Sequence, residues 1–282
     1  MNKIDHKISQ TNEIKQLDET VINKIAAGEV VERPASAVKE LIENSIDAGS
    51  TDIFIEVADG GKTLIRVTDD GHGMSEIDLP MALKRHATSK LKNNNLLDIY
   101  SFGFRGEALP SLGAVGRLRI VSHKEGHGAY EITVNGGDFS NTKPAARVPG
   151  TTIELRDLFY ATPARLKFLR SNKSELKAIT DAVKGLSIST PSVGFTLIDK
   201  TARKSRMLLQ VQKESDEYIK AKKNRLSRIL GQEFSKNAIS IDVTRDDINL
   251  TGYVCLPTYA RASNAMQYLS LIHISEPTRR TT

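Results

Sequence analysis

The stretch that decides most about this chain is Arg33-Pro-Ala-Ser-Ala-Val-Lys-Glu-Leu-Ile-Glu-Asn-Ser-Ile-Asp-Ala-Gly49. Proline is favoured at the first position of a helix and glycine just beyond its end, so Pro34 and Gly49 bracket a predicted helix. The apolar residues between them recur at helical spacing and form one stripe, which comprises Val38, Leu41, Ile42 and Ile46. The segment is therefore predicted to be an amphipathic helix with one buried face.

Three polar side chains lie on the side of this helix opposite the stripe. Glu40, Asn44 and Asp47 share that side because their spacing is i, i+4 and i+7. A carboxylate can accept a proton and an amide oxygen can hold a hard cation, so this face is able to carry chemistry. The alternative is the solvated face of an ordinary amphipathic helix, and this segment alone favours that alternative.

Composition excludes several classes of protein. No apolar run approaches the roughly 20 residues that a membrane span needs, and the N-terminus lacks the apolar core of a signal peptide. The single cysteine, Cys255, excludes an internal disulfide and a cysteine-based zinc cluster, and it fits a reducing cytoplasm. A net charge of +6 permits nucleic-acid binding without requiring it. The basic residues cluster at 165–177 and 220–228, where they form either solvated helix faces or a surface for DNA.

Hydrophobic periodicity gives a coarse map of the remaining elements. Helices are predicted at about 19–27 and 174–187. Residues 75–113 are predicted to be helical with an interruption, with loops at 92–95 and 103–106. Strands are predicted at 53–57, 63–67, 193–198, 239–243 and 250–254, and strands dominate from 117 to 155. The first two of these strands are expected to form a hairpin.

Further motifs follow the helix at wide intervals. Val67-Thr-Asp-Asp-Gly-His-Gly-Met74 ends a predicted strand, and Arg85-His-Ala-Thr-Ser-Lys90 precedes Gly103-Phe-Arg-Gly-Glu-Ala-Leu109. Gly150-Thr-Thr152 then opens another predicted strand. Each motif is weak when it stands alone, since an acidic residue followed by glycines is usually a turn. The sequence pattern of a Walker phosphate loop is absent from the chain.

In this order, the motifs resemble the GHKL ATPase pattern. The segments Ile25-Ala-Ala-Gly-Glu-Val-Val-Glu-Arg-Pro34 and Asp157-Leu-Phe-Tyr-Ala-Thr-Pro-Ala-Arg165 narrow the resemblance to the N-terminal ATPase region of the MutL family of DNA mismatch repair proteins. It runs from about Leu17 to about Gln267. It implies an α+β fold, namely a GHKL ATPase α/β sandwich with helices on one face of a mixed sheet, followed by a truncated second α/β domain.

The resemblance also implies a division of the chain. A flexible N-terminal arm is expected at 1–16, the GHKL ATP-binding domain at 17–205, and an incomplete second, transducer-like domain at 206–268. The tail at 269–282 has no counterpart in the family pattern and is expected to be foreign to the fold.

The cofactors that the resemblance implies are ATP and Mg²⁺. Glu40 matches the family's general base, and Asn44 matches its magnesium ligand. Asp69 matches the acceptor of the adenine amino group, with Thr152 near the adenine and its aspartate partner. Gly71 and Gly73 are expected to let the backbone approach the nucleotide. The other residues expected to bind nucleotide lie on the helix, beside the Asp-Gly turn, in a lid and in a phosphate loop: Asp47, Ala48, Met74, Thr88, Ser89, Lys90, Gly103, Phe104, Arg105, Gly106, Glu107, Ala108 and Leu109.

The function implied by the resemblance is a slow ATPase that acts as a conformational switch in DNA mismatch repair. ATP binding is expected to order the lid and the N-terminal arm, after which two chains form a homodimer. The expected partners are DNA bound without sequence specificity, a MutS-type mismatch recognition protein, and a downstream repair nuclease or helicase. No membrane partner is expected.

Two alternatives stay open. One is another GHKL ATPase of the topoisomerase, chaperone or histidine-kinase type, which the wording of residues 103–109 and 157–165 disfavours. The other is a DNA-binding module with an inactive nucleotide site. The presence of Glu40, Asn44 and Asp69 argues against this second alternative.

Overall fold

The structure is a computed structural model that describes residues 16, 18–90, 101–103, 105–246, 248–259 and 267–269. Its α-helices are α1 (Glu19–Val30), α2 (Pro34–Asp47), α3 (Asp78–Ala82), α4 (Ala108–Val115), α5 (Pro163–Leu166), α6 (Asn172–Ser189), α7 (Tyr218–Leu230) and α8 (Gln232–Asn237). The predicted arm, apart from residue 16, and the predicted tail from residue 270 lie outside the described residues. None of the described helices is long and apolar enough to cross a membrane.

The strands of the described residues are β1 (Asp52–Ala58), β2 (Leu64–Asp69), β3 (Arg117–His123), β4 (Ala129–Asn135), β5 (Asp138–Phe139), β6 (Lys143–Pro144), β7 (Gly150–Arg156), β8 (Gly194–Asp199), β9 (Arg206–Val211), β10 (Ala238–Arg245) and β11 (Ile248–Cys255). In this part of the chain, nine strands form one sheet in the order β5-β4-β3-β7-β2-β1-β8-β9, with β6 paired to β4. The sheet is mixed because β1 and β8 run parallel whereas β1 and β2 run antiparallel. β10 and β11 form a separate hairpin.

The two faces of the large sheet differ in character. Side chains alternate between the faces of a strand, and Ile53, Ile55 and Val57 of β1 point into a core shared with α2, α4 and α6. On the opposite face Arg66 donates to Glu56 at 2.6 Å and to Glu154 at 2.5 Å. The predicted arrangement, helices on one face of a mixed sheet, is therefore confirmed.

Helix α2 has the bounds that the sequence indicates. It starts at Pro34, and Gly49 follows its end with φ +73°, a left-handed conformation that glycine adopts without a steric penalty. The apolar stripe packs into the core, where Val38, Leu41 and Ile42 are fully buried. The other side of the helix is thereby turned away from the core.

Outside its two predicted loops, the prediction of helix at 75–113 is wrong for most of the described residues, whereas the loop predicted at 103–106 is confirmed for residues 103, 105 and 106. The loop predicted at 92–95 lies outside the described residues. Helix is present only at 78–82 and 108–115. Between them, a Cβ added to Gly106 would lie 2.4 Å from the carbonyl oxygen of Ala87, so two non-helical segments pack directly against each other. His86 has φ +61°, which also excludes a continuous α-helix. The predicted strands, including the hairpin of β1 and β2, are confirmed.

A buried arginine of α7 joins this helix to the end of α6 and to the chain next to β8 and β9. Strand β9 extends the large sheet, so residues 206–211 belong to it although the predicted domain boundary falls after residue 205. The guanidinium of Arg225, whose pKa burial lowers to about 10, is fully buried behind β8. It donates to the carbonyl oxygens of Ser187, Pro191, Val193 and Gln212 at 2.7 to 2.8 Å. The domain division itself stays a prediction.

Candidate active site

A cleft of about 1010 Å³ opens between α2, α4 and the segments that flank α3. Its volume is at the upper end of the range for small-molecule sites. Most of the predicted site residues line it: Glu40, Asn44, Gly73, Met74, Thr88, Ser89, Lys90, Gly103, Arg105, Gly106, Glu107, Ala108 and Leu109. Phe104 lies outside the described residues. The predicted residues that do not line this cleft are Asp47, Ala48, Asp69, Gly71 and Thr152.

Glu40 faces the cleft from the polar side of α2. Burial raises the pKa of its carboxyl group, and the nearby charges of Lys39, Lys90 and Arg105 oppose that shift. A carboxylate with a raised pKa is the stronger base, and the best pKa for a general base lies near the working pH. The position of Glu40 therefore suits proton transfer from a molecule bound in the cleft.

Asn44 and Asp47 hold the ammonium group of Lys90. Its Nζ donates to Oδ1 of Asn44 at 2.8 Å and to Oδ2 of Asp47 at 2.5 Å. Asp47 also accepts from the backbone amides of Phe102 at 3.1 Å and Gly103 at 3.4 Å. The amide oxygen of Asn44 thus already faces a cation at the edge of the cleft, one helical turn beyond Glu40.

Asp69 ends β2 and is almost fully buried. Its carboxylate accepts from Ser45 Oγ at 2.9 Å, from the amide of Gly71 at 3.0 Å and from the amide of Thr151 at 3.3 Å. Burial raises the pKa of Asp69, while these hydrogen bonds and the charge of Arg147 oppose the shift. The carboxylate is held in one orientation by these contacts and does not line the cleft.

The threonine that contacts Asp69 is Thr151, so the prediction that Thr152 occupies this place is wrong. Asp69 pairs with Thr151 across β2 and β7, and alternation turns Thr152 to the opposite face, beside Thr68 at 3.2 Å between the hydroxyl oxygens. On the face of Asp69, Thr151 Oγ1 lies 2.8 Å from Ser122 Oγ. Ser122 Oγ in turn accepts from the amide of Met74 at 2.8 Å, so Thr151 is linked to the cleft wall.

The glycines after Asp69 are required by contacts within the protein. A Cβ on Gly73 would lie 2.1 Å from the carbonyl oxygen of His123, and one on Gly71 would lie 2.8 Å from Cβ and O of Ala48. These contacts alone explain why both positions need glycine, and the expectation that Gly71 and Gly73 let the backbone approach a nucleotide stays a prediction. Ala48 has a backbone role, since its carbonyl oxygen accepts from the amide of His72 at 3.0 Å.

The N-terminus of α4 faces the cleft. Ala108 and Leu109 begin this helix and line the cleft, and the amides of a first helical turn have no partner within the helix. Such a helix end attracts anions. The preceding turn is fixed to the far wall by a hydrogen bond from the amide of His86 to the carbonyl oxygen of Gly106, 3.2 Å long. The cleft therefore combines an anion-binding end with a carboxylate and an amide oxygen.

Several residues of this region were not predicted from the sequence. Ser45, Thr151 and Arg147 surround Asp69, and Ala26, Val30, His72 and Lys124 are among those that line the cleft. The side chain of Arg147 donates to the carbonyl oxygen of Asp69 at 2.5 Å and to the hydroxyl of Thr152. A signal for Thr151 exists, because it has the same strand parity as the apolar residues Ile153 and Leu155. Ser45 and Arg147 act through tertiary contacts for which the sequence offers no comparable pattern.

Comparisons with known proteins point to one family. Residues 31–160 match the family described as histidine kinase-, DNA gyrase B- and HSP90-like ATPase. The chain is 51% identical over 257 residues to the DNA mismatch repair protein MutL of Rhodospirillum rubrum, and 51% identical over 256 residues to that of Rhizobium etli. These matches cover 91% and 90% of the chain but 40% and 41% of the relatives, so the chain spans about two fifths of their length.

A solved structure supports the same assignment. The Aquifex aeolicus MutL ATPase domain complexed with ADP superposes with a TM-score of 0.60 at 27% identity, covering 76% of this chain and 73% of that one. The fold, the motifs in the cleft and the relatives agree with one another. The chain belongs to the MutL family of GHKL ATPases, and it corresponds to the N-terminal ATPase region of that family.

Proposed function

We propose that this chain binds and hydrolyses ATP as the ATPase region of a DNA mismatch repair protein. The observation that carries the proposal is the shared cleft, in which Glu40 and Asn44 of α2 lie opposite the N-terminus of α4. Hydrolysis at a terminal phosphate needs an oriented water, a cation and donors for the phosphate oxygens. Glu40 supplies the base, Asn44 supplies a ligand for the cation, and the amides of α4 supply donors.

The residues present fit a magnesium ion. Mg²⁺ takes hard oxygen ligands and keeps several waters, so one amide oxygen suits it together with phosphate oxygens. Oδ1 of Asn44 already accepts a hydrogen bond from a cation, the ammonium of Lys90, which supports its use as a cation ligand. When bound, the ion would offset negative charge on the phosphates. Asn44 would hold the ion, and Glu40 would orient and deprotonate the attacking water.

Asp69 is the proposed recognition group for adenine. An ionised carboxylate only accepts hydrogen bonds, so it favours the amino group of adenine over the carbonyl group of guanine. The donors Ser45 and Thr151 and the amide of Gly71 hold the carboxylate in place. Because Asp69 is buried and does not line the cleft, adenine must either insert beside its carboxylate or contact it through an ordered water.

The finer parts of the function also belong to this proposal. Hydrolysis is slow and depends on Mg²⁺, ATP binding promotes a homodimer, and the state of the nucleotide is passed to a MutS-type partner, to DNA and to a downstream nuclease or helicase. Family membership supports these roles. The chain spans about two fifths of the relatives, and partners that bind elsewhere in those proteins need the remaining sequence.

Binding and turnover of ATP by this chain test the proposal. Glu40→Gln keeps the volume of the side chain and removes the base. We expect turnover to fall by at least about 100-fold while the ATP affinity stays within a few-fold of the original, because the base acts only on the attacking water. Calorimetry measures the affinity and phosphate release measures the turnover.

The matched control is Glu43→Gln. Glu43 is also a buried carboxylate of α2, but it pairs with Lys39 at 3.5 Å and does not line the cleft. Turnover should survive this change. Equal loss of turnover in both variants, or full turnover in Glu40→Gln, would show that Glu40 is not the base. Absence of ATP binding by the unmodified chain would refute the proposed function.

A further inference from the structure

The ammonium group of Lys90 contacts the amide oxygen that the proposed reaction assigns to a metal ion, and a neighbouring carboxylate. It contacts Asn44 Oδ1 at 2.8 Å and Asp47 Oδ2 at 2.5 Å. The side chains of Lys90 and Asp47 are only 22% and 8% exposed, so solvent ions screen this pair less than a surface pair. The ion pair between Lys90 and Asp47 therefore stabilises this edge of the cleft more than an exposed ion pair would.

An ammonium group and a divalent ion cannot share these oxygens. Magnesium binds its oxygen ligands at about 2.0 to 2.1 Å, which would place it against the nitrogen that now lies next to Asn44. Two cations at such a separation repel strongly in a partly buried site. Binding of the metal at Asn44 therefore requires Lys90 to leave.

The same carboxylate connects Lys90 to the beginning of the phosphate loop. Asp47 accepts from the amides of Phe102 and Gly103 in addition to Lys90. Gly103 and Lys90 both line the cleft, so Asp47 fastens two parts of its wall to the end of α2. Departure of Lys90 would leave Asp47 with the two amides alone and without its counter-charge.

We propose that Lys90 is a built-in competitor of the metal ion, which occupies the amide oxygen of Asn44 and neutralises the carboxylate of Asp47 until metal and nucleotide bind together and displace it. The inference rests on the proposed function, since the nucleotide brings the metal to this place. A displaced ammonium carries three donors and is close enough to the cleft to pair with a polyphosphate. In the absence of metal, Lys90 supplies the positive charge that the phosphates need.

The test compares the affinity for ADP in excess Mg²⁺ with the affinity in a chelator. The measured quantity is the ratio of the two affinities, obtained by calorimetry for the unmodified chain and for Lys90→Met, Lys90→Arg and Lys124→Met. Lys124 is a matched control, because it also lines the cleft but approaches Asp78, at 3.8 Å, rather than Asn44. Thermal unfolding of each variant checks that the fold is kept.

For Lys90→Met we expect the ratio to rise by about fivefold or more, because binding without metal loses its cation while the metal loses its competitor. Lys90→Arg and Lys124→Met should keep the original ratio. A ratio for Lys90→Met within twofold of the original would overturn the inference, as would an equal rise in Lys124→Met. If the unmodified chain binds ADP in neither condition, the proposed function fails, and this inference fails with it.

Discussion

The backbone amide of Thr151 donates to Oδ1 of Asp69 at 3.3 Å, whereas the side chain of the next residue, Thr152, lies on the opposite face of the sheet. The two threonines are adjacent and chemically identical, yet only Thr151 belongs to the network that holds the buried carboxylate. The hydroxyl of Thr151 continues this network to Ser122. A substitution at Thr151, compared with the same substitution at Thr152, therefore measures how much the network contributes to nucleotide binding.

Thr151→Val should weaken ATP binding, and Thr152→Val should not. Thr151→Val keeps the shape of the side chain but removes its buried hydrogen bond to Ser122. Loss of one such bond costs about 1 to 1.5 kcal/mol. Because Ser122 also accepts from the amide of Met74 in the cleft wall, we expect this cost to lower the ATP affinity by roughly five- to tenfold. Thr152→Val should stay within about twofold. Calorimetric titration with ATP measures both, and a larger effect at Thr152 would contradict the assignment.

Replacing Asp69 and Asp70 should change acid stability in opposite directions. Burial raises the pKa of Asp69, so its ionised form destabilises the fold at neutral pH, and this penalty disappears as the pH falls towards the unfolded value of 3.8. Burial also acts on Asp70, but hydrogen bonds from Asp52 and Thr51 outweigh it and lower the pKa. The stability that Asp70 contributes is present above 3.8 and is lost as the pH falls through its lowered pKa.

Urea unfolding of Asp69→Asn and Asp70→Asn between pH 7 and pH 3 measures these trends. The difference in unfolding free energy between the unmodified chain and Asp70→Asn should shrink in acid. The free energy of unfolding of the unmodified chain should rise relative to that of Asp69→Asn as the pH falls. Profiles of the same sign would show that one of the two pKa directions is wrong.

Gly73→Ala should destabilise the fold much more than Gly126→Ala. Both glycines have a positive φ, +66° and +79°, so both variants incur a backbone penalty of about 1 to 2 kcal/mol. A Cβ at Gly73 would also lie 2.1 Å from the carbonyl oxygen of His123, whereas nothing lies within 4 Å of one at Gly126. Chemical denaturation should therefore show an additional loss of about 2 kcal/mol or more at Gly73, and equal losses would contradict the packing argument.

Arg225→Met should lower the free energy of unfolding by about 3 to 5 kcal/mol, since it leaves several buried carbonyl oxygens without their donor. The control is Lys220→Met on the same helix. Lys220 is 70% exposed and pairs with Asp216, so its loss should leave the free energy of unfolding nearly unchanged. Equilibrium unfolding in urea separates the two outcomes. A mild effect at Arg225 would mean that water readily replaces the guanidinium at these carbonyl groups.

The local sequence pattern was sufficient to predict helix α2 and the hairpin of β1 and β2. Spacing alone places Val38, Leu41 and Ile42 in the core and Glu40 with Asn44 on the other side, because a helix fixes which residues share a face. The segment at 83–90 was predicted to be helical, and it is not. Its described conformation depends on the packing of Gly106 against Ala87, a tertiary contact that overrides helical propensity.

Within the site, too, local patterns predict some features, and tertiary contacts determine the others. The motifs identify the residues of the cleft, but the choice between Thr151 and Thr152 depends on strand parity, which a one-residue shift reverses. The partnership of Lys90 with Asn44 and Asp47 spans 46 and 43 residues, so no local pattern reveals it. The chemistry of the site was therefore predictable by residue type, and its internal contacts were not.

The parallel pairing of β1 with β8 also constrains how the chain folds as it is made. Ile55 of β1 pairs opposite Leu197 of β8, and the rest of the large sheet is built from the sequence between them and from β9. At ribosomal rates of about 5 to 20 residues per second, synthesis of the chain from Ile55 to Leu197 takes roughly 7 to 28 s, and β1 cannot pair with β8 before then. Until then the edge of β1 offers unpaired backbone groups to other chains. Chaperone binding during synthesis is thus most useful to this protein before residue 200 has left the ribosome.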